Sequence, residues 1–164
     1  MELYLLRHGP AYSHGHPDYS EDERPLTEEG VKLTQKVVKG MKDLGIDIKV
    51  ILSSPLKRAM ETAQIVSEKY DIKIEVCEAL ATGNNMELFN LLSEYVDMGP
   101  VCLVGHQPYM GLLISELVWG EPDVEIPLKK SGLARIDVDT YSGRPEGDLK
   151  FLLQAKHLAK LGEK

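Results

Sequence analysis

Two histidines and two arginines of this chain stand directly after short apolar runs. Arg7-His8-Gly9 follows the run Glu2 to Leu6, and Ser54-Pro55-Leu56-Lys57-Arg58 follows Lys49 to Ser53. Gly105-His106-Gln107-Pro108 follows Val101 to Val104, and Glu78-Ala79-Leu80-Ala81-Thr82-Gly83 follows Ile72 to Cys77. Each run reads as a short buried strand. In open α/β sheets ligands bind outside the carboxyl ends of the strands, so these side chains converge on one edge. An imidazole can attack phosphorus, and guanidinium groups can clamp the equatorial oxygens in bidentate fashion. The set therefore suits phosphoryl transfer. Gly9, without a Cβ, allows close backbone approach.

The elements between these strands read as helices. Thr27 caps one whose first turn carries Glu28 and Glu29, where carboxylates suit the positive helix end. Its apolar face is Val31, Val37, Val38, Met41 and Leu44, and Gly45 ends it. Ser54 at an N-cap and Pro55 at the first helical position predict a second helix reaching Tyr70. Further helices are expected over Met86 to Val96 and Tyr109 to Trp119. Two late strands, Leu133 to Val138 and Leu149 to Leu153, flank the turn-rich Ser142-Gly143-Arg144-Pro145-Glu146-Gly147. The tail from Lys156 reads as a short or frayed helix. Strand-then-helix units imply right-handed crossovers and a mainly parallel sheet with helices on both faces. The fold class is α/β, with residues 1–164 forming a single domain.

Composition narrows the function. The 164 residues carry a formal net charge of −7 and 43% apolar residues, an ordinary globular balance. No Lys/Arg-rich run sets up the field that nucleic acid binding requires. Phosphate must instead be held by a local cluster of cations. Cys77 and Cys102 sit in apolar runs and read as buried reduced thiols. The opening residues lack a basic n-region and read as a strand, and no apolar stretch approaches the ~20 residues that span a bilayer. A cytoplasmic location without membrane partners is expected.

Arg7-His8-Gly9, Arg24-Pro25-Leu26-Thr27, Ser53-Ser54-Pro55 with Arg58-Ala59, Glu61-Thr62-Ala63 and Gly105-His106-Gln107-Pro108 occur in that order. The set resembles the histidine phosphatase superfamily, and most of all its SixA-type phosphohistidine phosphatase branch. The resemblance spans Leu3 to about Trp119. It implies that His8 becomes phosphorylated on a ring nitrogen, with Arg7, Arg58 and His106 around the transferred group. It also implies that Arg24 is a further phosphate-side arginine. No cofactor is implied.

Many members of that superfamily acting on phosphate esters carry a Glu after the third strand as proton donor. Aligning Leu80 with that pattern puts Thr82 at the donor position; Glu78 and Glu87 are near but out of register. A phosphohistidine protonated on its other ring nitrogen leaves as neutral imidazole and needs no such acid. The departure points to a phosphohistidine-bearing protein as substrate. The rivals are a small-molecule phosphomonoesterase or mutase of the same superfamily and a non-catalytic phospho-ligand binding module.

Other signals carry less. Asp137-Val138-Asp139-Thr140 resembles the nucleophile motif of haloacid-dehalogenase-type phosphatases, but too few residues follow for the rest of that site. Cys102 has no Arg closing a phosphate loop, and no nucleotide-binding glycine loop occurs. His14-Gly15-His16 with Asp18 has ligand-type side chains but no partner cluster. That loop reads as a mobile polar rim, and no metal is expected.

Overall fold

The four runs that end in candidate residues form strands β1 (Glu2–Arg7), β2 (Val50–Ser53), β3 (Ile74–Val76) and β4 (Val101–Gly105). Two later strands are β5 (Leu133–Asp139) and β6 (Glu146–Leu153). The helices are α1 (Glu28–Asp43), α2 (Lys57–Tyr70), α3 (Ala79–Thr82), α4 (Asn85–Ser93), α5 (Tyr109–Trp119) and α6 (Ala155–Gly162). This computed structural model describes residues 1–139 and 144–163. Thr140 of the Asp137–Thr140 motif, and Ser142 and Gly143 of the expected turn, lie outside the described residues.

One sheet has the strand order β3-β2-β4-β1-β5-β6. β1 to β4 pair in parallel, whereas β5 runs antiparallel to β1, and β6 antiparallel to β5. The chain from α5 returns to the sheet without a further helical crossover, so β5 joins β1 from the opposite direction. Side chains of β1 alternate between two cores. Leu3 and Leu5 pack with α3, α4 and α5, while Tyr4 and Leu6 face α1, α2 and α6. Both faces of the sheet are covered, as expected for central strands that are apolar throughout. Among the described residues, no helix is long and apolar enough to cross a membrane.

Local signals explain most boundaries. Thr27 Oγ1 accepts the Gly30 N–H at 2.9 Å, and Gly45 follows α1 at φ +74°. Leu44 departs from the expected apolar face and is exposed, because the helix ends before it. The tail is a formed helix: α6 buries Leu158 against α1. Ser54 does not cap α2. The helix begins at Lys57, whose N–H donates to the Asp22 carbonyl at 3.0 Å, and the Ser54 hydroxyl turns elsewhere.

The α1–α6 crossing is close enough to need glycine. A Cβ on Gly40 would stand 2.0 Å from the Leu158 carbonyl oxygen, and one on Gly162 would stand 2.2 Å from that of Lys36. Backbone atoms cannot yield as a side chain would. Gly40→Ala is therefore expected to cost about 1–3 kcal/mol. A urea midpoint lowered at unchanged m-value would register it, and an unshifted midpoint would show that the helices can separate freely.

Candidate active site

Arg7 is paired with Gly105 where β1 and β4 end side by side. The next residues are His8 and His106, and their ring centroids are 5.2 Å apart. The His8 N–H donates to the Gly105 carbonyl at 3.0 Å, and Ser131 N–H donates to the carbonyls of Arg7 and His8 at 3.1 Å each. The Thr62 hydroxyl, on α2, accepts the Gly9 N–H at 3.0 Å and donates to the Arg58 carbonyl at 2.8 Å. Glu61 accepts the Leu26 N–H at 2.7 Å. The Glu61-Thr62-Ala63 and Arg24-Pro25-Leu26-Thr27 segments thus act as struts between the first loop and α2.

His8 is 6% exposed. Its Nδ1 lies 2.7 Å from the Gly9 carbonyl oxygen, which can only accept, so Nδ1 carries the hydrogen. The lone pair is then on Nε2. Burial pushes the His8 imidazole down to about 3, and neighbouring His106, Arg58 and Arg7 act in the same direction against the Gly9 hydrogen bond. Burial likewise pushes His106 down to about 4, helped by Arg58 and Arg7. Both rings are neutral at neutral pH. His106 Nε2 meets the Ser54 hydroxyl at 2.7 Å.

Two arginines flank these rings. Arg7 Nη1 donates to the Leu128 carbonyl at 3.0 Å, and Arg58 Nη1 donates to the Glu21 carbonyl at 2.8 Å. Burial lowers both guanidinium values, yet arginine stays charged in proteins. Arg7 Nε, Arg58 Nε and His106 Nδ1 are buried without a partner. Arg7, His8, Arg58 and His106 line one cleft of about 390 Å³. A cleft of about 440 Å³, lined by Met1, Phe89, Leu92 and Leu117 among others, brings together no imidazole.

The remaining expected residues fare differently. Arg24 lines the cleft, but Nε and Nη2 grip the Glu21 carboxylate at 2.9 and 2.5 Å, and Nη1 donates to the Tyr12 carbonyl. The Gly9 N–H is taken by Thr62, and Gly9 is not among the residues that line the cleft. Its missing Cβ serves helix packing instead, since a Cβ there would stand 2.4 Å from Thr34 Oγ1. Thr82, Glu78 and Glu87 are exposed and do not line the cleft. Among the described residues, its lining carboxylate is Glu21, which the sequence reading missed. Arg24 above all, with His14, holds Glu21 down to about 2. Lys130 and Gln107 also line the cleft.

The rim is tied down, contrary to expectation. The rings of Tyr12, His16 and Tyr19 pack edge-on or tilted against one another with centroids 5.1 to 5.3 Å apart. Ala11 bridges Leu26, and the Tyr12 N–H donates to the Pro25 carbonyl at 3.0 Å. Edge-on and tilted ring contacts and backbone bonds tie together a loop whose composition alone reads as polar. His14 Nδ1 contacts Glu21 at 2.6 Å, and His16 Nδ1 accepts the Asp18 N–H at 3.1 Å.

The histidine phosphatase superfamily (branch 1) model matches residues 3–94, more than half of the chain. The chain belongs to that superfamily. It is 36% identical to a Picosynechococcus protein over 138 residues, 81% of this chain and 82% of that one. It is 27% identical to the phosphohistidine phosphatase SixA of Escherichia coli over 129 residues, 74% and 76% of the two chains. A structure of the protein histidine phosphatase SixA with tungstate superposes at a TM-score of 0.80, covering 96% and 99%, with 24% identity. A structure of the alpha-ribazole phosphatase from Shigella flexneri superposes at 0.75, covering 94% and 97%, with 19% identity. These last two likenesses describe the fold.

The depressed imidazoles have a consequence for stability. Unfolded histidines take up protons below about pH 6.5, whereas the folded chain refuses them until about 4 for His106 and about 3 for His8. Their contribution is therefore full above about pH 6.5 and is lost as pH falls. Each imidazole adds a slope approaching about 1.4 kcal/mol per pH unit. In phosphate-free buffer, His8→Asn and His106→Asn should each flatten unfolding free energy against pH between about pH 6 and about pH 4.5. A slope unchanged by both would contradict the burial account.

Proposed function

We propose that the chain is a phosphatase that hydrolyses phosphohistidine on a protein, through a phosphohistidine intermediate on His8. The observation that carries this is the fixed tautomer of His8. With Nδ1–H bonded to Gly9, Nε2 keeps its lone pair at neutral pH, and His8 lines the cleft. Nε2 attacks phosphorus and the substrate's P–N bond breaks. The substrate imidazole, protonated on its other nitrogen, departs neutral. Water then attacks the phosphorus on His8, and His8 departs with its Nδ1–H still in place. Neither step leaves an anionic nitrogen.

The cations answer the charge. Arg7 and Arg58, with the unpartnered His106 Nδ1, supply donors for the phosphoryl oxygens, whose charge spreads in the transition state. His106 Nε2 meets the Ser54 hydroxyl at 2.7 Å, and with Ser54 as the donor there the ring N–H is on Nδ1.

The leaving group is the point of discrimination. An alkoxide has a conjugate acid near that of water, about 15.7, and needs a proton as it leaves. Glu21 is ionised and has none to give at neutral pH. Neutral imidazole, with a conjugate acid of about 6.5, leaves unaided. The reading that competes is a small-molecule phosphomonoesterase of the same superfamily.

Turnover of a phosphohistidine-bearing protein, measured beside phosphoserine and sugar phosphates, separates the two. Phosphohistidine and activated aryl phosphates should be cleaved, alkyl phosphates should be nearly inert, and log rate should fall steeply with leaving-group pKa. Acid-labile, base-stable phosphate should be trapped on wild type and lost in His8→Ala. Arg58→Ala should lower kcat/KM by about 10²–10³-fold. Efficient alkyl phosphate hydrolysis would favour the small-molecule reading. Absence of any phosphoenzyme would leave a binding module.

A further inference from the structure

Glu21 is a carboxylate placed among the cations of an anion site. Oε1 stands 2.5 Å from Arg24 Nη2 and 3.4 Å from Arg58 Nη2. Oε2 stands 2.9 Å from Arg24 Nε and 2.6 Å from His14 Nδ1. The Glu21 side chain therefore meets Arg58, which the proposed reading assigns to phosphate, together with the neighbouring Arg24. A carboxylate in that position can act in two opposite ways. It can hold the arginines ready and strengthen anion binding, or it can compete for them and weaken it.

The anchoring of the partners decides between these. Arg58 is held by the Glu21 backbone carbonyl, and Arg24 by the Tyr12 carbonyl, neither of which depends on the Glu21 carboxylate. The arginine side chains are 12% (Arg24) and 7% (Arg58) exposed, whereas Glu21 is 42% exposed. The arginines are the fixed partners and the carboxylate is the one solvent can reclaim. Removing its charge leaves the cations in place and their field uncompensated.

We propose that Glu21 sets the phosphate affinity of the phosphoryl site, as a competing anion built onto Arg58 and Arg24 that keeps affinity for free phosphate low. The inference rests on the phosphatase reading of the cleft. Inorganic phosphate is the product of that reaction, and it has only the oxygen contacts by which to stay bound. A phosphorylated protein segment has its polypeptide contacts as well. Competition at the arginines weakens the phosphoryl contacts of both; the polypeptide contacts still hold the substrate, whereas free phosphate is released. The carboxylate stays ionised across the working pH range, so the competition is constant.

The test is the sign of one change. Inorganic phosphate binding is measured by calorimetry and as product inhibition for wild type, Glu21→Gln, Glu21→Asp and Glu21→Ala. Glu21→Gln and Glu21→Ala should each bind phosphate about tenfold more tightly, the scale of removing one like charge at close range in a partly solvated site. Glu21→Asp, which restores the charge, should return toward the wild-type value. Affinity equal to or below wild type in the Gln and Ala variants would overturn the proposal and make Glu21 a positioning residue. Arg58→Ala serves as the reference. If it abolishes phosphate binding while Glu21→Gln fails to tighten it, only this inference falls. If phosphate binding survives Arg58→Ala, the phosphoryl-site reading falls and this inference with it.

Discussion

The parallel pairing of β1 with β4, in the register that sets Arg7 against Gly105, fixes the centre of the molecule's chemistry. One residue beyond that pair, both chains leave the sheet carrying an imidazole. A shift of one residue would turn alternate side chains to the opposite face and separate the rings. The apolar pattern selects this register, since Leu3, Leu5, Val101 and Leu103 share one core and Tyr4, Leu6, Cys102 and Val104 the other. Packing thus places His8 beside His106, with no attraction between the rings required.

Burial at that point sorts the cluster by charge. Arg7, Arg58, His8 and His106 are all drawn from water, and all four values fall. The outcome differs because the starting values differ. A guanidinium begins so high that it remains charged, whereas an imidazole begins near neutrality and loses its proton. The same desolvation therefore yields fixed cations beside an uncharged ring. Carbonyls of Leu128 and Glu21 hold the two cations without neutralising them. A chain with net charge −7 can concentrate positive potential in this way only locally.

The side chains that follow a strand were the legible part of the site. His8, Arg7 and His106 lie directly at the ends of β1 and β4, and Arg58 lies on the first turn of α2. Strand ends can be read from short apolar runs, so their neighbours can be too. The rest depends on contacts between distant segments. Ser54 has the sequence signature of a helix cap, and it is drawn to His106 because β2 and β4 are neighbours. Glu21 lies in a loop rich in acidic residues, where only the three-residue spacing to Arg24 sets it apart. The antiparallel direction of β5 and β6 and the four-residue α3 were hidden for a related reason. Strand direction has no local code, and one helical turn is too short for a period to show.

On the proposed reading, the hydrogen bond from His8 to the Gly9 carbonyl has a part in both halves of the reaction. Before attack it selects the tautomer whose lone pair is on Nε2. After attack the same Nδ1–H makes the phosphorylated ring cationic, and the carbonyl dipole faces that charge. When water displaces the phosphoryl group, the ring leaves in the tautomer with which it began. No proton has to be relayed across the site to reset it. The substrate imidazole passes through the matching states in reverse, so the donor and acceptor nitrogens of the first step are chemically alike. A transfer between like nitrogens needs little acid or base strength from its surroundings. What it needs is charge held in place around phosphorus, and on this reading the end of β1 and the first turn of α2 commit Arg7 and Arg58 to that task.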